Sequence, residues 1–306
     1  MKILSIILIF CAAFAPSFQA QNTAVNAVRV DLTLDQEQFL ANEEVRIAVR
    51  ITNRSGQELH LGKDADWITF TVDGKDHYVV SQLGDVPVQG EFSLASSKTG
   101  TKRVNLTPYF DFRQMGRYQV TASVKIPQWN KEITSSPISF DIIKGTKLLE
   151  FDFGVPIKKG DANAQPETRK YILQQAIYLN QMRLYLRLTD ANDAVVFRVF
   201  PIAPMVSFSR PEAQVDGLSN LHVLHQTGAK SFNYSVIDPD GELVTRQTYD
   251  YTATRPILRP GGDGKISVIG GLLRANLADS ESALTKKEIP KPAPQSSTND
   301  APTPKP

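Results

Sequence analysis

The sequence predicts an all-β protein, and three observations carry that prediction. Apolar and polar residues alternate with a period of two along most segments after Val28, a pattern typical of half-buried strands. Turn signals of Asp, Asn and Gly recur about every 8 to 15 residues, which suits short strands in layered sheets. In the second half, several short sequence motifs occur twice, 47 to 49 residues apart, which indicates an internal repeat. Together these features favour packed sheets over helices.

The first half of the chain supplies the clearest strands. Residues 28–34 place Val and Leu on one side and Arg, Asp and Thr on the other, and residues 45–51 repeat the alternation before a turn at 53–56. Two facing strands are therefore expected at the start. Further candidate strands are 67–72, 77–80, 103–106, 118–124 and 138–143.

A local motif predicts how these strands connect. In the segment from Leu106 to Val120, Gly116 precedes a strand that carries Tyr118 and then Val120. This arrangement resembles the corner of immunoglobulin-like β-sandwich domains, and the resemblance covers residues 27–144. It implies that the hydroxyl of Tyr118 bonds back to the backbone near the turn. The chain lacks the family's cysteine pair, so the resemblance is to bacterial macroglobulin-like or adhesin-like domains.

The middle of the chain predicts a boundary and a second β domain. Gly154, Pro156 and Gly160 place a linker at 145–168. Residues 169–182 fit a helical stripe as well as a strand and are left open, whereas alternation from Arg183 predicts a strand. The second domain is expected to span 169–274.

The motifs that occur twice in this second domain predict two repeats of about 48 residues. Each unit resembles a β-propeller blade, and two blades are too few to close a ring that needs at least four. We expect the two copies to pack face to face, with completion by another chain as the alternative. The matched positions are Asp190 with Asp238, Arg210-Pro211 with Arg259-Pro260, and Asp216-Gly217 with Asp263-Gly264.

Both ends of the chain predict features outside the folded part. Lys2, an apolar run over residues 3–14 and Ala20 fit a secretory signal peptide at 1–20, with cleavage expected after Ala20 and cleavage after Ala15 as the alternative. The only cysteine, Cys11, lies in this leader, so the mature chain has no disulfide. We therefore expect export to the periplasm or the extracellular space. Residues 275–306 are rich in Pro, Ser and Lys and are expected to be disordered.

Composition and motifs predict no catalytic residue, metal or cofactor. The 34 Lys and Arg against 32 Asp and Glu are spread without blocks, which argues against a nucleic-acid partner, and no segment after the leader suits a transmembrane span. Thiol, serine-elbow, phosphate-loop and zinc-helix motifs do not occur. His222 and His225 are three apart on an expected strand and face opposite sides, and residues 238–242 are expected to form a turn rather than a calcium loop.

The densest aromatic group offers the best binding-site candidate. Phe232 and Tyr234 share one strand face, as do Tyr249 and Tyr251, and His222 lies on the same repeat. Such a group can present a platform to a sugar or a peptide, or it can form cross-strand pairs within a sheet core. Trp67 and Trp129 are the corresponding candidates in the first domain.

For function, the sequence favours an exported, non-enzymatic interaction protein that binds a protein or glycan at the envelope or outside the cell. One alternative is a polysaccharide-acting enzyme or enzyme subunit, because carboxylate-pair glycosidases carry no short signature. A second alternative is a protease inhibitor whose loop at 82–90 enters a protease cleft. The oligomeric state is not predicted.

Overall fold

The computed structural model describes residues 27–74, 80–156 and 167–274, and these residues form an all-β protein. They contain strands and a 3₁₀ turn at Pro127–Trp129, with no α-helix. The predicted signal peptide, the proline-rich tail and most of the candidate strand at 77–80 lie outside the described residues. No helix in these three ranges is long and apolar enough to cross a membrane.

The N-terminal region, residues 27–143, consists of two main sheets around one core. One sheet has the order β1-β3-β7, and the other has the order β2-β10-β8-β5 with β9 paired to β8; β4 and β6 form a separate short pair. Alternate residues of β3 and β8, such as Val49 and Val120, meet between the sheets with the buried Trp67. The strands are β1 Val28–Leu34, β2 Gln38–Leu40, β3 Arg46–Asn53, β4 Leu59–Leu61, β5 Ile68–Asp73, β6 Phe92–Leu94, β7 Thr99–Asn105, β8 Gly116–Ile126, β9 Lys131–Thr134 and β10 Ile138–Ile143.

The corner before β8 has the hydrogen bond that the sequence predicts. The hydroxyl of Tyr118 donates to the backbone carbonyl of Gln114 over 2.8 Å, and its buried ring stacks on Phe140 at 5.5 Å between centroids. Gly116 has a φ of +144°, a backbone conformation that favours glycine. The turn and the core are thus joined through one side chain.

The C-terminal region, residues 146–274, contains two further sheets and a hairpin. One sheet has the order β11-β12-β13-β14, the other has the order β15-β16-β17-β18-β21, and β19 pairs with β20. Leu186 and Leu188 of β13 meet Leu221 and Val223 of β16 in the core between the two sheets. The strands are β11 Thr146–Gly154, β12 Thr168–Tyr178, β13 Gln181–Asp190, β14 Val196–Pro204, β15 Glu212–Val215, β16 Leu221–Gln226, β17 Ser231–Ile237, β18 Leu243–Asp250, β19 Ile257–Pro260, β20 Ile266–Ile269 and β21 Leu272–Leu273.

The segment that the sequence left open between helix and strand is β12. Tyr171 and Leu173 face the core between the two sheets, while Ala176 on the opposite face packs against Leu40 of the N-terminal region. A strand buried on both faces loses its polar alternation, and its apolar residues then fall at spacings that also suit a helix. Burial on both faces therefore explains the ambiguity.

The predicted linker at 145–168 is corrected in its first part, because residues 146–154 form the edge strand β11. This strand pairs with β12 along its length and contributes Phe153, whose ring stacks on Tyr171 at 4.0 Å between centroids. Gly154 and Pro156, which indicated a linker, mark only the end of the strand. Residues 157–166 lie outside the described residues.

The internal sequence repeat corresponds to two similar runs of four strands, β13 to β16 and β17 to β20. The matching hairpins β15–β16 and β19–β20 touch at their turns, where the backbone N–H of Gly217 donates to the carbonyl of Gly264 over 3.2 Å. Each run, however, divides its strands between two sheets instead of forming one four-stranded blade. Within the described residues there is accordingly no propeller.

Candidate functional site

The structure brings four of the five predicted binding residues to one face of the sheet β15–β18. Phe232 and Tyr249 are cross-strand partners, and Tyr234 lies two residues further along β17 beside His222 of β16. The rings of Tyr234 and Tyr249 meet edge to face at 6.3 Å. Tyr251 follows the end of β18 and is exposed. The predicted aromatic group thus exists as a spatial cluster.

This cluster is covered instead of forming an open platform. The hairpin β19–β20 packs over it through Leu258 and Ile266, which leaves Phe232 2% and Tyr234 8% exposed. The guanidinium of Arg255 lies 5.3 Å from the centroid of the Phe232 ring. Tyr251, outside this cover, is 42% exposed. We call this covered group the aromatic face.

A chain of hydrogen bonds stabilises the aromatic face. Nδ1 of His222 lies 2.7 Å from the hydroxyl of Tyr234, and its Nε2 lies 3.1 Å from a carboxylate oxygen of Asp216. A neutral ring satisfies both contacts if Nε2–H donates to Asp216 and the hydroxyl of Tyr234 donates to Nδ1. The backbone N–H groups of Leu218 and Asn220 also donate to Asp216, over 2.9 and 2.8 Å.

The pKa directions at this network agree with a structural role. Burial acts to raise the pKa of Asp216, but hydrogen bonds from Asn220, His222 and the backbone outweigh it and lower that pKa. Burial raises the pKa of Tyr234, with smaller contributions from Tyr249 and Asp216. The carboxylate therefore stays ionised and the phenol stays protonated, and each polar atom has a partner.

The other candidate positions of the sequence are buried or form a turn, and among the described residues both ring nitrogens of His225 are buried without a hydrogen-bond partner. His225 faces the core between the sheets, opposite to His222, and no group of three or more potential metal ligands occurs among the described residues. The backbone N–H groups of Asp240 and Glu242 donate to the carboxylate of Asp238, which makes this segment a turn. Trp67 is buried and donates to the carbonyl of Val88, whereas Trp129 packs partly against the core.

The structure contains a site that the sequence did not predict, a cleft of about 390 Å³ between the N-terminal and C-terminal regions. We call it the interdomain cleft. One wall is the segment around β2, the other is β14, and Glu242 with Leu243 at the start of β18 completes it. Its lining residues are Asp35, Gln36, Phe39, Glu43, Glu44, Arg46, Arg198, Val199, Phe200, Pro201, Glu242 and Leu243.

Apolar and charged groups are both present on the walls of the interdomain cleft. Phe39, Phe200 and Leu243 contribute apolar surface from three separate elements. The two arginines are each paired with a carboxylate, Arg46 with Glu44 and Arg198 with Glu242. The pairs are exposed to solvent, so each contributes little to stability.

Glu43 is the buried carboxyl of the interdomain cleft, and only 4% of its surface is exposed. It accepts hydrogen bonds from the side chain of Gln36 over 2.5 Å and from the backbone N–H of Leu40 over 2.8 Å. Burial raises the pKa of Glu43 to about 7, although these hydrogen bonds and the charge of Arg183 act to lower it. The carboxyl therefore exchanges its proton near neutral pH.

The contact behind the cleft joins the two regions through apolar side chains, with Leu40 at its centre and Ile143 beside it. Leu40 packs against Ala176, Tyr185 and Val199. Within the described part of the chain, the hydroxyl of Tyr185 and Nε of Arg183 are buried without a hydrogen-bond partner. Burial raises the pKa of Tyr185 to about 12, and the nearby Glu43 adds to the shift. The polar groups of this contact are thus incompletely satisfied, unlike those of the aromatic face.

One feature of the sequence could have indicated this contact. Phe39 and Leu40 are consecutive, and both are 2% exposed. In a strand, neighbouring side chains face opposite sides, so two consecutive buried residues indicate burial on both faces. Phe39 packs in the N-terminal core, whereas Leu40 contacts the C-terminal region.

No family model matches the chain, and no curated protein matches it. Among solved structures, the chain is similar to Spo0M, a sporulation control protein from Bacillus subtilis, with 9% sequence identity and a TM-score of 0.29. The similarity covers 57% of this chain and 89% of that one. Nothing about the function of this chain is inferred from it.

Proposed function

We propose that this chain is an exported, non-enzymatic protein that binds a partner in the interdomain cleft. The observation that supports the proposal is the composition of that cleft, which combines apolar surface from three elements with charged side chains at a domain boundary. Ligand sites occur preferentially at such boundaries, and a volume of about 390 Å³ lies within their usual range. Export rests on the leader at residues 1–20, and the product is periplasmic or extracellular.

The finer architecture belongs to the same proposal. We propose an immunoglobulin-like arrangement for the N-terminal region, which the hydrogen bond from Tyr118 to Gln114 supports. We also propose that the C-terminal region is a duplication, which its matching hairpins β15–β16 and β19–β20 support. The partner site is then formed between two β domains, each with its own core.

The experiment that tests this function blocks the mouth of the cleft. Glu242 is an exposed side chain on its rim, so Glu242→Trp places a bulky ring there, and Glu132→Trp on the exposed strand β9 is the matched control. Chemical cross-linking of the mature protein in its native compartment should capture the same partner with the wild type and Glu132→Trp, and lose it with Glu242→Trp. Capture that is equal for all three proteins would contradict the proposal.

The polysaccharide-acting enzyme remains the second candidate because of one observation. A carboxyl with a raised pKa, Glu43, lies in a cleft that other carboxyls also line, and glycosidases use such a group as a general acid. Release of reducing ends from a panel of glycans by the wild type, lost in Glu43→Gln, would favour the enzyme over the binding protein.

The protease-inhibitor alternative depends on the loop at residues 82–90. Within residues 82–90, Val86 and Val88 are buried, and the backbone N–H of Leu83 donates to the carbonyl of Tyr109. These contacts anchor the middle of the loop on the N-terminal region, while its other residues are exposed.

A further inference from the structure

Acidic groups outnumber basic groups on the walls of the interdomain cleft. Asp35, Glu43, Glu44 and Glu242 line it, against Arg46 and Arg198. Each arginine pairs with one of these carboxylates, so no other lining cation offsets Asp35 or Glu43, and Glu43 adds its charge when it loses its proton near neutral pH. A cleft lined by one sign of excess charge concentrates ligands of the opposite sign. The charge balance therefore points to a cation.

The apolar surface of the cleft indicates what carries this cation. Phe39, Phe200 and Leu243 line the cleft beside the acidic groups; Phe39 is almost fully buried, so Phe200 and Leu243 provide most of the apolar surface that a ligand can contact. Lysine and arginine side chains bury an aliphatic stem on apolar surface and place a charged head at its end. Their shape and polarity match the combination of apolar wall and buried carboxyl.

The edge of β14 indicates that the cation belongs to an extended peptide. β14 is the last strand of its sheet, and no other strand pairs with its outer edge in the described part of the chain. The residues that line the cleft are consecutive, from Arg198 to Pro201, so side chains of both strand faces reach it and the cleft follows the strand edge. A strand edge offers backbone donors and acceptors to an extended peptide.

Two features limit the usable part of this edge. Pro201 has no backbone N–H to donate, and the carbonyl of Ile202 already accepts a hydrogen bond from Arg246. The accessible backbone is therefore the first half of β14, which lies beside the acidic groups.

We propose that the interdomain cleft binds an extended basic peptide segment of a partner protein. A lysine or arginine head group of this segment lies at Glu43 and Asp35, its stem contacts the apolar wall, and its backbone runs beside the first half of β14. This inference rests on the proposed function and specifies the chemistry of the partner.

Fluorescence polarisation with three probes tests whether the cleft prefers a basic peptide to an acidic peptide or a small amine. The first probe is a fluorescein-labelled decapeptide of alternating leucine and lysine, the second replaces lysine by glutamate, and the third is unlabelled 1,5-diaminopentane as a competitor. We expect the lysine peptide to bind the mature protein at least 10-fold more tightly than the glutamate peptide. Diaminopentane should compete only at far higher concentration, because it lacks a backbone and apolar side chains. Displacement at equal concentration would show a small-amine site and overturn the assignment to a peptide.

Three variants test whether the lysine peptide binds in the interdomain cleft. Glu43→Gln keeps the side-chain size and an acceptor for the N–H of Leu40. It should lower the affinity for the lysine peptide by about 10-fold, equivalent to about 1.4 kcal/mol of binding free energy. Asp35→Asn should also lower the affinity for the lysine peptide, and it replaces Glu43→Gln in the test if that variant does not fold. Glu58→Gln, an exposed glutamate away from the cleft, should bind as the wild type does. Equal affinity of all variants would overturn the proposal.

The two tests fail in distinguishable ways. If Glu242→Trp loses the cross-linked partner but the lysine peptide binds no better than the glutamate peptide, the cleft is the site and its ligand is not basic. If the cross-linked partner is also unaffected by Glu242→Trp, the proposed function itself is wrong.

Discussion

The aromatic face and the interdomain cleft both place polar groups beside apolar side chains, yet they differ in how those groups are satisfied. At the aromatic face, His222, Tyr234 and Asp216 form a continuous chain of hydrogen bonds under a covering hairpin. At the cleft, Glu43 is buried with a raised pKa, and Tyr185 and Arg183 nearby carry buried atoms without hydrogen-bond partners in the described residues.

This difference separates a structural network from a candidate site. A buried network whose members are all satisfied rigidifies a core, and it leaves no polar group available for a ligand. Buried polar groups that lack full compensation cost stability, and carboxyls with strongly perturbed pKa values in a cleft are candidates for functional sites. The number of aromatic or charged residues in a segment therefore says less about binding than whether their polar atoms are already paired.

The largest effect is expected at the aromatic face from Phe232→Ala. Phe232 is almost fully buried under the hairpin β19–β20, so the truncation should lower the free energy of unfolding by about 3 to 5 kcal/mol. Urea denaturation followed by circular dichroism measures the loss. Under native conditions, the folded fraction should still bind the lysine peptide with wild-type affinity. A small loss of stability with a large loss of binding would make the aromatic face the site.

The next effect is expected at the cleft from Glu43→Gln, and it depends on pH. The pKa of Glu43 is about 7 in the folded protein and near 4.5 when unfolded, so its stabilising contribution is complete below pH 4.5 and is lost as pH rises through 7. A difference of this size corresponds to about 3 kcal/mol. Glu43→Gln should therefore match the wild type near pH 4.5 and exceed its free energy of unfolding by up to about 3 kcal/mol at pH 8.

The stability that His225 contributes changes with pH in the opposite direction, which makes the two proteins easier to distinguish. Burial lowers its pKa to about 4 from 6.5, so the stability it contributes is present above pH 6.5 and is lost as pH falls through 4. In the wild type the two groups offset each other between about pH 4.5 and 6.5, whereas Glu43→Gln should gain stability with rising pH over that range. Urea titrations at four pH values measure the slopes, and parallel curves for the two proteins would contradict the assignment to Glu43.

A smaller effect is expected from Tyr234→Phe. Removing the hydroxyl leaves Nδ1 of the buried His222 without its donor, which should cost about 1 to 2 kcal/mol of unfolding free energy. Tyr251→Phe removes an exposed hydroxyl and is the matched control. Equal stabilities of the two variants would mean that the chain of hydrogen bonds does not stabilise the aromatic face.

The smallest effect is expected from Tyr251→Ala. This ring is the exposed member of the predicted group, so its removal should change the unfolding free energy by less than about 0.5 kcal/mol. Its affinity for the lysine peptide should also equal that of the wild type. A loss of affinity in polarisation measurements would restore the aromatic candidate that the sequence proposed.

The fold could be predicted from the sequence where a strand buries only one face. The alternation in β3 and β8 predicted those strands within a few residues, and Tyr118 predicted the corner hydrogen bond. The prediction was weaker where both faces are buried, as in β12, because alternation then disappears. It was wrong for β11, where the residues that end the strand were taken as a linker.

The candidate site could be predicted only in part, because its decisive property is tertiary. The sequence placed Phe232 and Tyr234 on one strand face but could not show that the following hairpin β19–β20 covers them. Glu43 stands beside Glu44 in a polar segment that indicates an exposed turn. Its burial follows from the docking of Leu40 on another region of the chain, which no local pattern records.

Hydrogen–deuterium exchange of the mature protein, with and without the leucine–lysine peptide, tests the central claim most directly. If the cleft is the binding site, the peptide should slow exchange in residues 35–46, 198–201 and 242–243, and leave residues 249–257 and 269–273 around Tyr251 unchanged. Protection confined to the residues around Tyr251, or none in the cleft at saturating peptide, would contradict the account.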